Sequence, residues 1–179
     1  MIRTIPLRLL ASFLFLCLFS CSQAQEPATR PHCQQPAFDS EVASLINFSV
    51  PLIGVKELKR TQSDVVLFDA REKEEYNVSH IAGAKYLGYK EFDPTVLAKV
   101  NKDQKIVLYC SVGYRSEKIG ERLLALGYTN VYNLYGSIFE WINQENPVVD
   151  NHGKVVQKVH TYNKKWSQWV EEGKAKKVW

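Results

Sequence analysis

Cysteine is scarce in this chain, with four residues in 179. Two of them, Cys17 and Cys21, fall in an amino-terminal stretch that reads as a targeting segment. The remaining pair, Cys33 and Cys110, excludes a disulfide framework and leaves at most one bridge. Neither the cysteines nor the four histidines recur at the paired spacings of a metal site, so no metal is expected. Long apolar runs are equally rare. The most marked, residues 9–19, is too short to be a convincing spanning helix. No internal repeat is visible, and no basic stripe crosses the middle of the chain. The net charge of +4 is concentrated in residues 151–179, where seven lysines outnumber two glutamates and the local net is +5, leaving the remainder near −1. That distribution excludes nucleic acid as a partner of the central part, and a basic stretch of this kind reads first as a solvated tail.

What is present suits one ordinary domain with extras: 45% hydrophobic residues and 12% aromatics supply a core. The start of the chain carries Arg3 and Arg8 ahead of the short apolar run, the layout of an export signal spanning residues 1–24. Two processing readings stand side by side. Ser22-Gln23-Ala24 fits a small-x-small cleavage site, with the mature chain starting at Gln25. Leu18-Phe19-Ser20-Cys21 resembles a lipobox, which would make Cys21 a lipidated first residue and a membrane attachment. Either way the expected location is outside the cytoplasm, as a periplasmic protein or a membrane-anchored lipoprotein. Residues 25–40, rich in Gln, Pro and Ser, read as a flexible leader.

From Glu41 onward apolar strands alternate with helical patterns. Leu52-Ile53, residues 65–68, Tyr86-Leu87, residues 106–109 and residues 131–134 read as strands; stretches around Val42–Ile46, Val55–Lys59, Glu72–Tyr76, Val96–Val100, residues 116–126 and Ile138–Ile142 read as helices. Gly127 suits the end of the helix before it. This is the pattern of an α/β domain over residues 41–148, with a mainly parallel central sheet flanked by helices. In such sheets ligands bind outside the carboxyl ends of the strands, and Cys110 and Asp69 stand at two such ends. Residues 149–179 form a basic, aromatic extension. There Val159, Tyr162, Trp166 and Trp169 recur at three- and four-residue steps and predict an amphipathic helical tail that either packs back on the domain or meets a membrane surface or partner.

Cys110 carries the chemistry. It follows the strand Ile106-Val107-Leu108-Tyr109 and opens the loop Ser111-Val112-Gly113-Tyr114-Arg115-Ser116 ahead of a helix. Backbone N–H groups converge at such a place and stabilise negative charge, which lowers a thiol's pKa and produces a nucleophile. Gly113 permits the curl of the loop around the sulfur, so that the N–H groups of residues 111–116 form an anion nest. Arg115 adds a fixed cation, Ser116 is placed to cap the helix, and Gly120 allows close packing.

At these residues the chain resembles the rhodanese family, and in particular its single-domain members. Cys110–Ser116 matches the family's active-site loop. A second landmark appears as Asp69-Ala70-Arg71-Glu72-Lys73-Glu74-Glu75-Tyr76 followed by His80-Ile81-Ala82-Gly83-Ala84, and a third as Gly127-Tyr128, Val131, Leu134, Gly136, Ile138 and Trp141. The order and spacing hold from about residue 50 to residue 148. The resemblance implies sulfur transfer without a cofactor. The Cys110 thiolate would take the outer sulfur of a small anionic donor such as thiosulfate, and a thiol or cyanide acceptor would remove it from the resulting persulfide. Arg115 and the loop residues would bind the donor, Asp69 and Arg71 would be architectural, and His80 would be structural. Two departures bear on the substrate. Ser111 stands where thiosulfate-preferring members often carry a basic residue, and the loop lacks the Cys-Gly-Ser/Ala-Gly-Val-Thr pattern of mercaptopyruvate sulfurtransferases.

Rival functions make different predictions. Cysteine-dependent phosphatases and arsenate reductases place five residues between Cys and Arg. Here four intervene, Ser111, Val112, Gly113 and Tyr114, so the loop suits one sulfur better than a phosphate group. A sulfur-carrier or sensor module that binds a partner through the tail is the rival from another class. On that sequence reading, deletion of residues 151–179 would spare an enzyme and disable a docking module.

Overall fold

The structure is a computed structural model and describes residues 29–179. The export signal and the Cys21 alternatives lie outside the described residues. The elements run α1 (Pro36–Leu45), β1 (Leu52–Ile53), α2 (Val55–Thr61), β2 (Val66–Asp69), α3 (Lys73–Val78), β3 (His80–Ile81), β4 (Lys85–Tyr86), β5 (Ile106–Tyr109), α4 (Tyr114–Ala125), β6 (Val131–Leu134), α5 (Ser137–Asn143), β7 (Val148–Val149), β8 (Val155–Val156), β9 (Lys158–His160) and β10 (Lys176–Val178). The expected α/β architecture is present. Five strands pair in the order β1-β6-β5-β2-β4, every pairing parallel.

The central strand β5 is a continuous apolar run because both sheet faces are covered there. Along β5 the side chains alternate: Val107 and Tyr109 join the core beneath α1, α2 and α5, while Ile106 and Leu108 join the core beneath α4, with Ile119 and Leu123. A Cβ on Gly120 would come within 2.8 Å of Val50, so this glycine lets α4 lie close on the chain before β1. The parallel strands carry Asp69, at the end of β2, and Cys110, just beyond β5, to the same edge of the sheet. Their register aligns Asp69 with Tyr109.

Three expectations need correction. The leader is not flexible up to residue 40, and the folded part begins near Arg30 rather than Glu41. Arg30 holds Asp39 at 2.9 and 2.6 Å and the Tyr135 hydroxyl at 2.7 Å; the Cys33 N–H donates to Asp39 at 2.7 Å, and Phe38 is fully buried. Order here comes from a buried ion pair and one aromatic anchor, which a scan for apolar content does not register.

The carboxyl-terminal extension is not helical. It consists of β8 and β9, a 3-10 turn at Trp166–Trp169, and β10, which pairs in parallel with β9. The three- and four-residue spacing of its apolar residues is real, but a backbone reversal at Tyr162 (φ 65°) interrupts any helix. Apart from the half-exposed Tyr162, these residues turn inward: Val159 and Val170 are buried, and Trp169 stacks on Phe38 with ring centroids 5.4 Å apart. The tail therefore completes the core beside α1.

The third correction concerns Ser116, which does not cap α4. The helix begins earlier, at Tyr114 with Gly113 (φ 123°) at its cap position, and the Ser116 hydroxyl donates instead to Asn133 at 2.7 Å.

Candidate active site

Cys110 stands in the turn from β5 into α4, only 1% exposed. Its backbone is clamped from both sides: its N–H donates to the Ser137 hydroxyl at 3.1 Å, and its carbonyl accepts the Ile138 N–H at 3.2 Å. The first residues of α5 thus hold this turn in place. The left-handed backbone of Gly113 points its N–H at the sulfur, 3.1 Å away. A Cβ at Gly113 would meet nothing closer than 3.7 Å, so the demand for glycine there is conformational and not steric.

Burial works against a charged sulfur. The Arg115 guanidinium and the backbone N–H groups of Ser116 and Gly113 more than offset it, and they hold the Cys110 thiol below its ordinary value. Of the expected anion nest of residues 111–116, the Gly113 N–H is the member seen in hydrogen-bond contact with the sulfur. The other free thiol among the described residues, Cys33, is the opposite case. Burial and the carboxylates of Glu140 and Asp39 push it far up, and it stays an inert neutral thiol.

Arg115 is fixed by a partner that carries no separate role in the sequence motif, Glu75. The pair is bidentate, at 2.6 and 2.8 Å, and Glu75 is 2% exposed. The Ser111 hydroxyl accepts from Arg115 at 3.0 Å and donates to Glu75 at 3.2 Å, closing a three-residue network against the loop. Glu75 also accepts the Glu72 N–H at 3.1 Å, so one carboxylate joins the start of α3 to the active-site loop. Despite its burial, these donors and the nearby Arg71 keep it ionised, with its carboxyl below the usual value.

Asp69 and Arg71 lie beneath this layer, fully buried and paired at 2.6 Å, and Arg71 donates to the Ser79 carbonyl at 2.6 Å. They tie the end of β2 to the chain ahead of β3. His80 meets the Tyr76 carbonyl at 3.1 Å and stacks on the Tyr76 ring.

A cavity of about 330 Å³ opens beside the sulfur. Of the loop residues, Cys110, Ser111, Val112, Tyr114 and Arg115 line it, while Gly113 and Ser116 lie behind, against Asn133. The rest of the wall comes from places with no local signal of function: Leu45 from α1, Glu72, Tyr89 and Lys90 from the middle of the chain, and Tyr162 and Trp166 from the tail. Tyr162 lies over the Arg115 guanidinium at 5.5 Å. Among the described residues no group of three His, Cys, Asp or Glu side chains could hold a metal ion, and no helix is long and apolar enough to cross a membrane.

Comparison with known proteins agrees with this geometry. Residues 54–144 match the Rhodanese-like domain family. The chain is similar to a "Thiosulfate sulfurtransferase GlpE" of Coxiella burnetii (strain RSA 493 / Nine Mile phase I), 30% identical over 78 residues, covering 44% of this chain and 72% of that protein. It is also similar to a "tRNA uridine(34) hydroxylase" of Acinetobacter baumannii (strain AYE), 34% identical over 91 residues, covering 48% of this chain and only 29% of that protein. Among solved structures, the rhodanese-like domain of an Anabaena sp. protein superposes with a TM-score of 0.52 at 20% identity, over 56% of this chain and 79% of that one; at that identity the likeness bears on the fold. Because the family match takes in about half of the chain, including β5, the Cys110 turn and α4, this protein belongs to the rhodanese-like family.

Proposed function

We propose that the protein is a sulfurtransferase that moves sulfane sulfur from a donor such as thiosulfate to a thiophilic acceptor through a persulfide on Cys110. The observation that carries this reading is the Gly113 N–H aimed at the Cys110 sulfur from 3.1 Å, on a thiol whose pKa the surroundings lower. In the first half-reaction the Cys110 thiolate attacks the outer sulfur of thiosulfate. A new S–S bond forms, the old one breaks, and sulfite departs with the electron pair. The persulfide anion left behind occupies the same amide-lined place. In the second half-reaction an acceptor thiolate or cyanide attacks the outer sulfur, and Cys110 leaves as thiolate. No external oxidant or reductant is required, because the sulfur atom moves without its bonding electrons in both steps.

In this reading Arg115 contributes twice, favouring the thiolate and drawing the anionic donor. Four intervening residues make the loop too tight for a tetrahedral phosphate, which supports sulfur over phosphoryl chemistry. The test is the intact mass of the full chain after thiosulfate treatment. Gain of one sulfur atom, absent from Cys110→Ala, is expected. An unchanged mass with thiosulfate and with other sulfane donors, or rapid Cys110-dependent hydrolysis of an aryl phosphate, would overturn the proposal.

We also propose that the protein works outside the cytoplasm, from Arg3 and Arg8 ahead of the apolar run at residues 9–19. Fractionation of cells expressing the full chain tests this. Membrane recovery lost in Cys21→Ala indicates lipidation, soluble periplasmic recovery of both indicates simple cleavage, and cytoplasmic recovery overturns the assignment.

A further inference from the structure

Part of the cavity wall lies outside the segment that matches the family. Leu45, Tyr162 and Trp166 all lie outside residues 54–144, yet they line the cavity with Val112, Tyr89 and Tyr114. The two tail aromatics are held there by structure on both sides. Before them, the Ser79 hydroxyl donates to the Lys158 carbonyl at 2.6 Å, Val159 is fully buried, and the Thr161 N–H donates to Val178 at 2.7 Å. After them, Asn143 holds the Trp169 carbonyl and the Glu171 N–H, both at 2.9 Å. Between these anchors Tyr162 adopts a left-handed backbone (φ 65°), a conformation that L-residues avoid and that persists only where the surroundings impose it. The cost sets an aromatic ring 5.5 Å above Arg115 at the mouth of the site.

The size and charge of the cavity point the same way. Inorganic sulfur compounds of a few heavy atoms fill only a fraction of about 330 Å³, a volume at the lower end of small-molecule ligand sites. Its lining is mostly apolar, and its charges balance: Arg115 and Lys90 are matched by Glu75, which grips Arg115, and by Glu72. Away from Arg115, where the donor anion is held, walls of that kind gain much from desolvating an uncharged apolar body.

We infer that the acceptor of the Cys110 sulfur is a small organic thiol with an apolar, preferably aromatic, body, and that Tyr162 and Trp166 are the residues that select it. This deepens the sulfurtransferase reading and rests on it. The acceptor's ring lies on Tyr162 and Trp166 while its sulfur reaches the persulfide. The acceptor thiolate forms the new S–S bond to the outer sulfur, the Cys110 S–S bond breaks, and Cys110 recovers its thiolate; the acceptor's proton ends on the new organic persulfide or in solvent.

The experiment is a steady-state comparison on the full chain, with thiosulfate as donor and benzyl mercaptan, 2-mercaptoethanol and cyanide as acceptors, thiol rates being corrected for thiolate fraction. For the wild type, kcat/KM for benzyl mercaptan is expected to exceed that for 2-mercaptoethanol by about tenfold or more, as burial of a phenyl group allows. In Tyr162→Gly, which removes the ring and tolerates the backbone, the ratio of benzyl mercaptan to cyanide turnover should fall about tenfold, mostly through KM. Tyr162→Phe, which keeps the apolar face, should restore the ratio. Equal kcat/KM for the two thiols in the wild type, or a Tyr162→Gly variant that loses both acceptors in proportion, would overturn the inference while leaving sulfur loading intact. Failure of the wild type to take up sulfur at all would remove the sulfurtransferase reading, and this inference with it.

Discussion

At Cys110 two large effects oppose each other, and function depends on which wins. Burial favours the neutral thiol. The Arg115 charge and the N–H groups of Ser116 and Gly113 favour the thiolate and prevail. The reactive form is therefore fully present above the lowered pKa and is lost as pH falls through it. Replacing Arg115 by Gln removes the strongest of the favourable contributions. The acid limb of the sulfur-loading rate should then move to higher pH, which stopped-flow loading or the ultraviolet absorbance of the thiolate will follow. A limb that stays in place would show that the backbone amides alone hold the charge. A second residue-scale balance lies at Asp39. Burial raises its carboxyl, but Arg30, the Cys33 N–H and His32 bring it from 3.8 down to about 2. A shift of that size corresponds to about 2 kcal/mol of stability. Because the folded value is the lower one, the contribution is complete above the unfolded pKa and disappears as pH drops towards the folded one. Asp39→Asn should accordingly lose about 2 kcal/mol in urea unfolding at neutral pH, with the difference from wild type shrinking in acid.

Among the elements, those easiest to read from sequence are those whose burial is two-sided. Residues 106–109 are apolar throughout because helices cover both faces of the sheet, and the glycine-bearing turn after β5 announces itself by residue type. Glu75 is legible only as part of a motif. That it grips Arg115 depends on α3 crossing beneath the loop, a contact between residues 40 positions apart. The tail misleads for a physical reason: Val159, Trp166 and Trp169 reach one apolar core while Tyr162 stays half exposed, and a strand, a left-handed residue and a 3-10 turn deliver them at the same spacing a helix would. Nothing in the spacing separates the two routes. What secures this arrangement is Asn143, 1% exposed at the end of α5, which donates to one tail carbonyl and accepts one tail N–H. Asn143→Leu strands both of those backbone groups. It should cost about 2–4 kcal/mol and expose Trp166 and Trp169, which denaturant titration and quenching of tryptophan fluorescence will report.

The whole molecule is larger than the segment that matches its family. Phe38 from α1, Val107 from the central sheet, and Val159 and Val170 from the tail belong to one continuous core. Removing residues 151–179 would therefore open that core and disturb the active site together, so such a deletion does not separate an enzyme from a docking module. Point substitutions in the pocket wall are the cleaner probe. The shared core also fixes how the protein should unfold. If the tail were a docked accessory, its amides would exchange through local detachment, at a free energy well below that of global unfolding. The Thr161 N–H is bonded to Val178 at 2.7 Å on a fully buried residue, and the Asn133 N–H is bonded to Pro51 at 2.8 Å in the central sheet. Native-state hydrogen exchange should give these two amides the same opening free energy and the same denaturant dependence, as one cooperative unit requires. A Thr161 amide that exchanges with little denaturant dependence, while Asn133 keeps the global value, would mean that the aromatic wall opens independently of the domain that carries Cys110.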